Sequence, residues 1–105
     1  MRNAADEIDV FKALSNPVRL KILQWLREPR SNFPIERGIA DPDDVGVCVS
    51  QITDKAGVAQ STVSTHMREL ERAGLVRSTR VGKWTHYMRD EDRIKEVLSV
   101  LGRSL

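Results

Sequence analysis

The sequence predicts a mostly α-helical fold carrying a small β-hairpin wing, a winged helix-turn-helix with five helices. Three observations predict it. Residues 50–89, SQITDKAGVAQSTVSTHMRELERAGLVRSTRVGKWTHYMRD, read as helix, tight turn, second helix and basic hairpin. Apolar stripes of helical period lie both before and after that run. The 105 residues, 40% of them hydrophobic, can bury one modest core but hardly two, so 1–105 is expected to be a single domain.

Ile8, Phe11 and Leu14 mark a short amphipathic helix within residues 1–14. Ser15-Asn16-Pro17 is a strong helix start, a capping side chain followed by proline at the first helical position. Val18, Ile22, Trp25 and Leu26 then form a stripe that Leu20 and Leu23 widen, as expected of a central helix buried from two sides. Residues 29–47, with prolines, glycines and four Asp or Glu, read as a long loop and most simply as a linker. Val47-Cys48-Val49 is a candidate short strand adding to the wing.

Residues 50–74 carry the helix-turn-helix. Ile52, Ala56 and Val58 surround Gly57, which permits the sharp turn. In the second helix Val63, Met67 and Leu70 make the inward stripe. Gln60, Ser61 and Thr62 open the helix, and Ser61, Thr65, Arg68 and Arg72 fall opposite the stripe with Ser64 beside them. Hydroxyls near a helix start and arginines further along suit phosphates and base edges. An ordinary solvated helix face offers the same residue types, so context decides. Ala73-Gly74 ends the helix, and residues 75–89 read as two strands turning at Val81-Gly82, with Arg77, Arg80, Lys83 and Arg89 as their charge. Residues 60–89 hold a formal +4 against +2 for the whole chain, so the remainder is net negative. The positive field that attracts a polyanion is concentrated on the helix and hairpin. Finally, Ile94, Val97, Leu98 and Leu101 form a helical stripe within residues 90–105.

The runs FKALSNPVRLKILQWL, VCVSQI, AQSTVSTHMRELERAGLV and RVGKWTHYMRD together resemble the ArsR family of bacterial winged-helix repressors, over most of the chain. That resemblance implies a homodimer that binds a palindromic double-stranded DNA operator, usually represses, and releases DNA when an effector binds. It implies that the helices in 1–14 and 90–105 pair across the dimer, through Ile8, Phe11, Ile94, Val97, Leu98 and Leu101. DNA contacts are then expected from Gln60, Ser61, Thr62, Ser64, Thr65, Arg68 and Arg72, and from Arg80 and Lys83 on the wing.

The sensing chemistry of metal-binding members is degraded. Their box resembles Cys-Val-Cys-Asp, whereas this chain has Cys48-Val49-Ser50-Gln51, and its last helix, DEDRIKEVLSVL, holds no histidine. A soft metal needs two or more thiolates, or thiolate with imidazole. No metal site and no cofactor are therefore expected, with Cys48 the weak candidate and a small buried hydrophobe the simpler reading. His66 falls at the edge of the apolar stripe, expected half-buried and bonded to backbone rather than touching DNA, although the family resemblance leaves a supporting or phosphate-contacting role open. His86 is expected to pack against the sheet.

No nucleophile–base pair, phosphate loop or carboxylate cluster points to an enzyme. The expected function is a sequence-specific DNA-binding transcriptional regulator of repressor type, working in the cytoplasm without a membrane partner. The alternatives are a winged-helix protein–protein interaction module and a redox- or metal-responsive repressor using Cys48. The operator and the effector are not encoded legibly.

Overall fold

The computed structural model describes residues 4–34 and 40–105. The chain opens with α1 (Ala4–Leu14) and α2 (Pro17–Arg27). The predicted start of α2 is present: Asn16 Oδ1 accepts from the Val18 and Arg19 amides at 2.9 and 3.1 Å, satisfying donors the helix leaves open. Ile22, Leu23 and Leu26 are buried, with Val18 and Trp25 packed at the core margin. Burial on two sides does not extend to Leu20, which is 41% exposed. It lines an open groove with Pro17, Lys21, Trp25 and Ala56, where no described element covers α2.

The connection after α2 corrects the expected helix count. Two single-turn helices, α3 (Pro29–Asn32) and α4 (Pro42–Val45), raise it to seven among the described residues. Each begins with proline, whose fixed φ suits a first helical position, and Asp41 caps α4 by accepting from the Asp43 amide at 2.9 Å. One turn is too short to show a period, so composition alone reads as loop. Nor is the segment mere linker. Phe33 is buried and meets Trp25 edge-to-face at 6.5 Å, Lys55 Nζ lies 5.1 Å from the Trp25 ring centre, and Pro42 is buried. Arg30 bridges to Asp41 and Asp43 at 3.2 and 2.8 Å, but these groups are half-exposed and hold the turns only weakly.

β1 (Val47–Cys48) joins the wing as expected, though Val49 already belongs to the next helix. The sheet has the order β1-β3-β2, with β2 (Val76–Val81) and β3 (Trp84–Arg89) antiparallel and β1 antiparallel to β3. Gly46 (φ +91°) makes this pairing possible, because a Cβ there would collide with the Tyr87 carbonyl. Between β1 and β2 lie α5 (Val49–Ala56) and α6 (Gln60–Arg72), and α7 (Glu91–Ser104) closes the chain. One core joins Val10 and Ala13 of α1, Ile22 and Leu26 of α2, Ile52 of α5, the inner face of α6, and Leu75, Val76 and Val97. Asp90 caps α7 by accepting from the Arg93 amide at 3.0 Å.

Candidate nucleic-acid interface

The inner face of α6 determines the outer one. Val63, Met67 and Leu70 have no exposed surface, and burying each such side chain contributes about 1.5–3 kcal/mol, enough to set the roll of the helix. Gln60, Ser61, Thr62, Thr65, Arg68 and Arg72 are exposed and Ser64 is half-buried; Ser61, Thr65, Arg68 and Arg72 lie opposite the buried stripe, with Gln60, Thr62 and Ser64 flanking them. Thr65 Oγ1 donates to the Ser61 carbonyl at 3.1 Å, and Arg68 Nη2 donates to Thr65 Oγ1 at 3.2 Å. These bonds draw the guanidinium back over the first turns of α6. Arg72 is engaged differently, paired with Glu69 at 3.1 Å, an exposed contact weak enough to exchange for a phosphate.

The entry to α6 follows from the turn. Gly57 takes the left-handed conformation (φ 70°, ψ 23°) that ends α5. Val58, expected to be an apolar support, is 37% exposed, whereas Ile52 before the turn and Val63 after it are fully buried. Ala59 is the N-cap and supplies no side-chain acceptor, so the first α6 amides lack an internal partner.

The wing stands beside α6. Ser78 Oγ donates to Glu71 Oε2 at 2.7 Å, tying β2 to the helix. The tip is Gly82-Lys83, one residue later than the sequence suggested, because Val81 pairs with Trp84 and closes a two-residue turn with Gly82 at φ +60°. Arg80 Nε donates to the Gly82 carbonyl at 3.2 Å, and Lys83 is exposed at the tip. Arg89 is a correction. Its side chain is only 13% exposed, held by Glu91 at 2.9 Å and by the Leu23 carbonyl at 3.3 Å, so its charge is spent inside the fold. The other five cations of residues 60–89, at Arg68, Arg72, Arg77, Arg80 and Lys83, are exposed.

The histidines divide. His86 is 1% exposed, opposite Cys48 across the β1–β3 pair, with neither ring nitrogen hydrogen-bonded. Cys48 is buried and accepts from Ser50 Oγ at 3.2 Å. Among the described residues, no three His, Cys, Asp or Glu side chains gather as a metal-holding group. His66 is half-buried as expected, yet its partner is a side chain rather than backbone: Arg19 Nη1 lies 3.1 Å from its Nδ1. Burial, and then the Arg19 charge, hold the imidazole pKa below its usual value. Arg19 was not anticipated, since nothing in a sequence pairs residues 47 positions apart.

A separate apolar surface lies on α1 and α7. Ile8, Phe11 and Leu98 are 49%, 43% and 64% exposed, while Ile94 and Leu101 are half-buried against the core. Val97, expected with them, is buried within its own chain.

The chain is similar to known proteins in sequence and in fold. The family model described as "Bacterial regulatory protein, arsR family" matches residues 47–78, the segment from β1 through α6 into β2. The uncharacterized HTH-type transcriptional regulator YbzH of Bacillus subtilis is 52% identical over 96 residues, 91% of this chain and 95% of that protein. An ArsR-like transcriptional regulator from Rhodococcus sp. RHA1 superposes with a TM-score of 0.69 at 26% identity, covering 95% of this chain and 79% of that one. The homodimeric winged helix-turn-helix DNA-binding domain of Mb0332 from Mycobacterium bovis gives 0.67 at 25% identity, covering 96% and 80%. With the helix-turn-helix, the wing and a relative matched almost end to end, the chain belongs to the arsR family of bacterial regulatory proteins.

Proposed function

We propose that this DNA-binding transcriptional regulator acts as a dimeric repressor, each copy laying α6 in a major groove of a palindromic operator. The observation that carries the reading is the outward face of α6. It sets hydroxyls, an open helix start and Arg68 on one surface whose roll is locked by three fully buried side chains. In the groove, Ser61, Thr62, Ser64 and Thr65 bond phosphates or base edges, and Arg68 forks onto guanine. Amides left open after Ala59 receive a backbone phosphate, favoured by the helix dipole. Arg80 and Lys83 carry the wing onto flanking phosphates.

A second copy completes the reader. Ile8, Phe11 and Leu98 form an exposed apolar surface on the first and last helices, and the Mycobacterium bovis relative is homodimeric. A two-fold operator requires the two α6 helices to stand about one helical turn of DNA apart, roughly 34–36 Å, and pairing through these helices is the arrangement proposed to supply that spacing. Among the described residues no helix is long and apolar enough to cross a membrane, and the cytoplasm, where bacterial DNA lies, is the proposed site of action. A duplex selected from a random library by the purified chain tests this reading. The selected sequences should share an inverted repeat, and affinity should fall steeply with salt. Selection of no common sequence, or of a single half-site, contradicts it.

A further inference from the structure

We propose that Arg19 is a positioning residue for DNA reading: its guanidinium fastens α6, through His66, to the end of α1, so the helix assigned to the dimer sets the placement of the helix assigned to DNA. This rests on the function proposed above. Nε donates to the Ala13 carbonyl at 2.8 Å, Nη2 to the Lys12 carbonyl at 3.0 Å, and Nη1 to His66 Nδ1 at 3.1 Å. The first two acceptors are last-turn carbonyls of α1, where a cation is also favoured by the helix dipole; that of Lys12 accepts from the Ser15 amide and hydroxyl as well. The third belongs to α6, one residue after Thr65 and two before Arg68. Arg19 is itself anchored, because its amide donates to the Asn16 cap at 3.1 Å. One planar fork therefore joins three helices. A lysine ammonium at the same place lacks the geometry to meet two successive carbonyls and an imidazole together.

The contact specifies the state of His66. A guanidinium only donates, so Nδ1 must accept and the ring proton sits on Nε2. Among the described residues, the charge that shifts the ring is that of Arg19. Arg19 comes from α2, α1 contributes the carbonyls of Lys12 and Ala13, and on α6 Glu69 is turned to Arg72. Protonating Nδ1 removes the acceptor and sets two cations against each other. Because burial and Arg19 lower the folded pKa, the contact is complete above the ordinary histidine value of 6.5 and is lost as pH falls through the lower folded one.

The test uses the full chain, the operator duplex selected by the wild type, and a random duplex of equal length, between about pH 8 and 5.5 across the histidine range. Wild type is expected to lose operator affinity toward the acid end of that range, by up to about tenfold where the charge-assisted hydrogen bond is fully lost, with the random duplex nearly unaffected. Arg19→Lys should dimerise normally by sedimentation yet bind the operator about tenfold more weakly at neutral pH. His66→Asn, whose amide oxygen can replace Nδ1 and does not titrate, should keep neutral-pH affinity and lose the pH dependence. The inference is overturned if Arg19→Lys binds the operator as wild type does, or if His66→Asn retains the wild-type pH profile. If Arg19→Lys fails to fold, the His66→Asn profile decides alone. A wild type that does not distinguish operator from random duplex removes the functional reading itself, a separate outcome.

Discussion

α6 and α7 are alike in length and in having one buried stripe, but they differ in what they leave in water. α6 exposes Ser, Thr, Gln and Arg, already partly joined by hydrogen bonds. α7 exposes Leu98, and α1 exposes Ile8 and Phe11. The same amphipathic device thus yields two kinds of binding face. A polar face with open donors suits a hydrated polyanion, whereas an exposed patch of large apolar groups suits another protein surface. The two faces should therefore fail in different ways.

The largest effect is expected on the apolar side. Leu98→Asp should convert dimer to monomer by sedimentation and weaken operator binding by about 100-fold or more, since two linked half-site contacts become one. Its folding stability should change by less than about 0.5 kcal/mol, because Leu98 is 64% exposed in the single chain. On the polar side, Thr65→Ala or Arg68→Ala should cost about 1–3 kcal/mol of operator affinity by anisotropy, with the dimer unchanged. Dissociation in either α6 variant, or undiminished assembly of Leu98→Asp, would erase the distinction between the faces.

Smaller effects sharpen it. Arg80→Ala and Lys83→Ala should weaken all duplexes similarly and each flatten the salt slope by about one unit, as phosphate contacts do. Altered base preference with an unchanged slope would move the wing from positioning to reading. Ala59→Ser should add about 1 kcal/mol to stability by urea unfolding, because the α6 start has no side-chain cap.

The outward face of α6 was legible in the sequence because it rides on a long helix with a clear period. Val63, Met67 and Leu70 are inward as their spacing required, and that alone orients the residues opposite. The α2 cap at Asn16 and the strand before α5 were also legible, from local chemistry and a short apolar run. What escaped depended on tertiary partners or on too few residues. α3 and α4 are single turns, shorter than any measurable period. Arg89 looks like wing charge until Glu91 and the Leu23 carbonyl are seen to hold it. Val97 shares the α7 stripe with Leu98, yet one lies inside the chain and the other outside, a division that only packing decides. The Arg19–His66 contact spans 47 residues and had no local signature.

The central claim is that the outer face of α6 discriminates sequence. The most direct test is a Thr65→Ala, Arg68→Ala double variant, measured against the selected operator and a random duplex in parallel salt series. The account predicts that the operator-to-random affinity ratio collapses by about 100-fold, with random-duplex binding largely retained. A double variant that keeps the wild-type ratio would show that sequence is read elsewhere on the molecule.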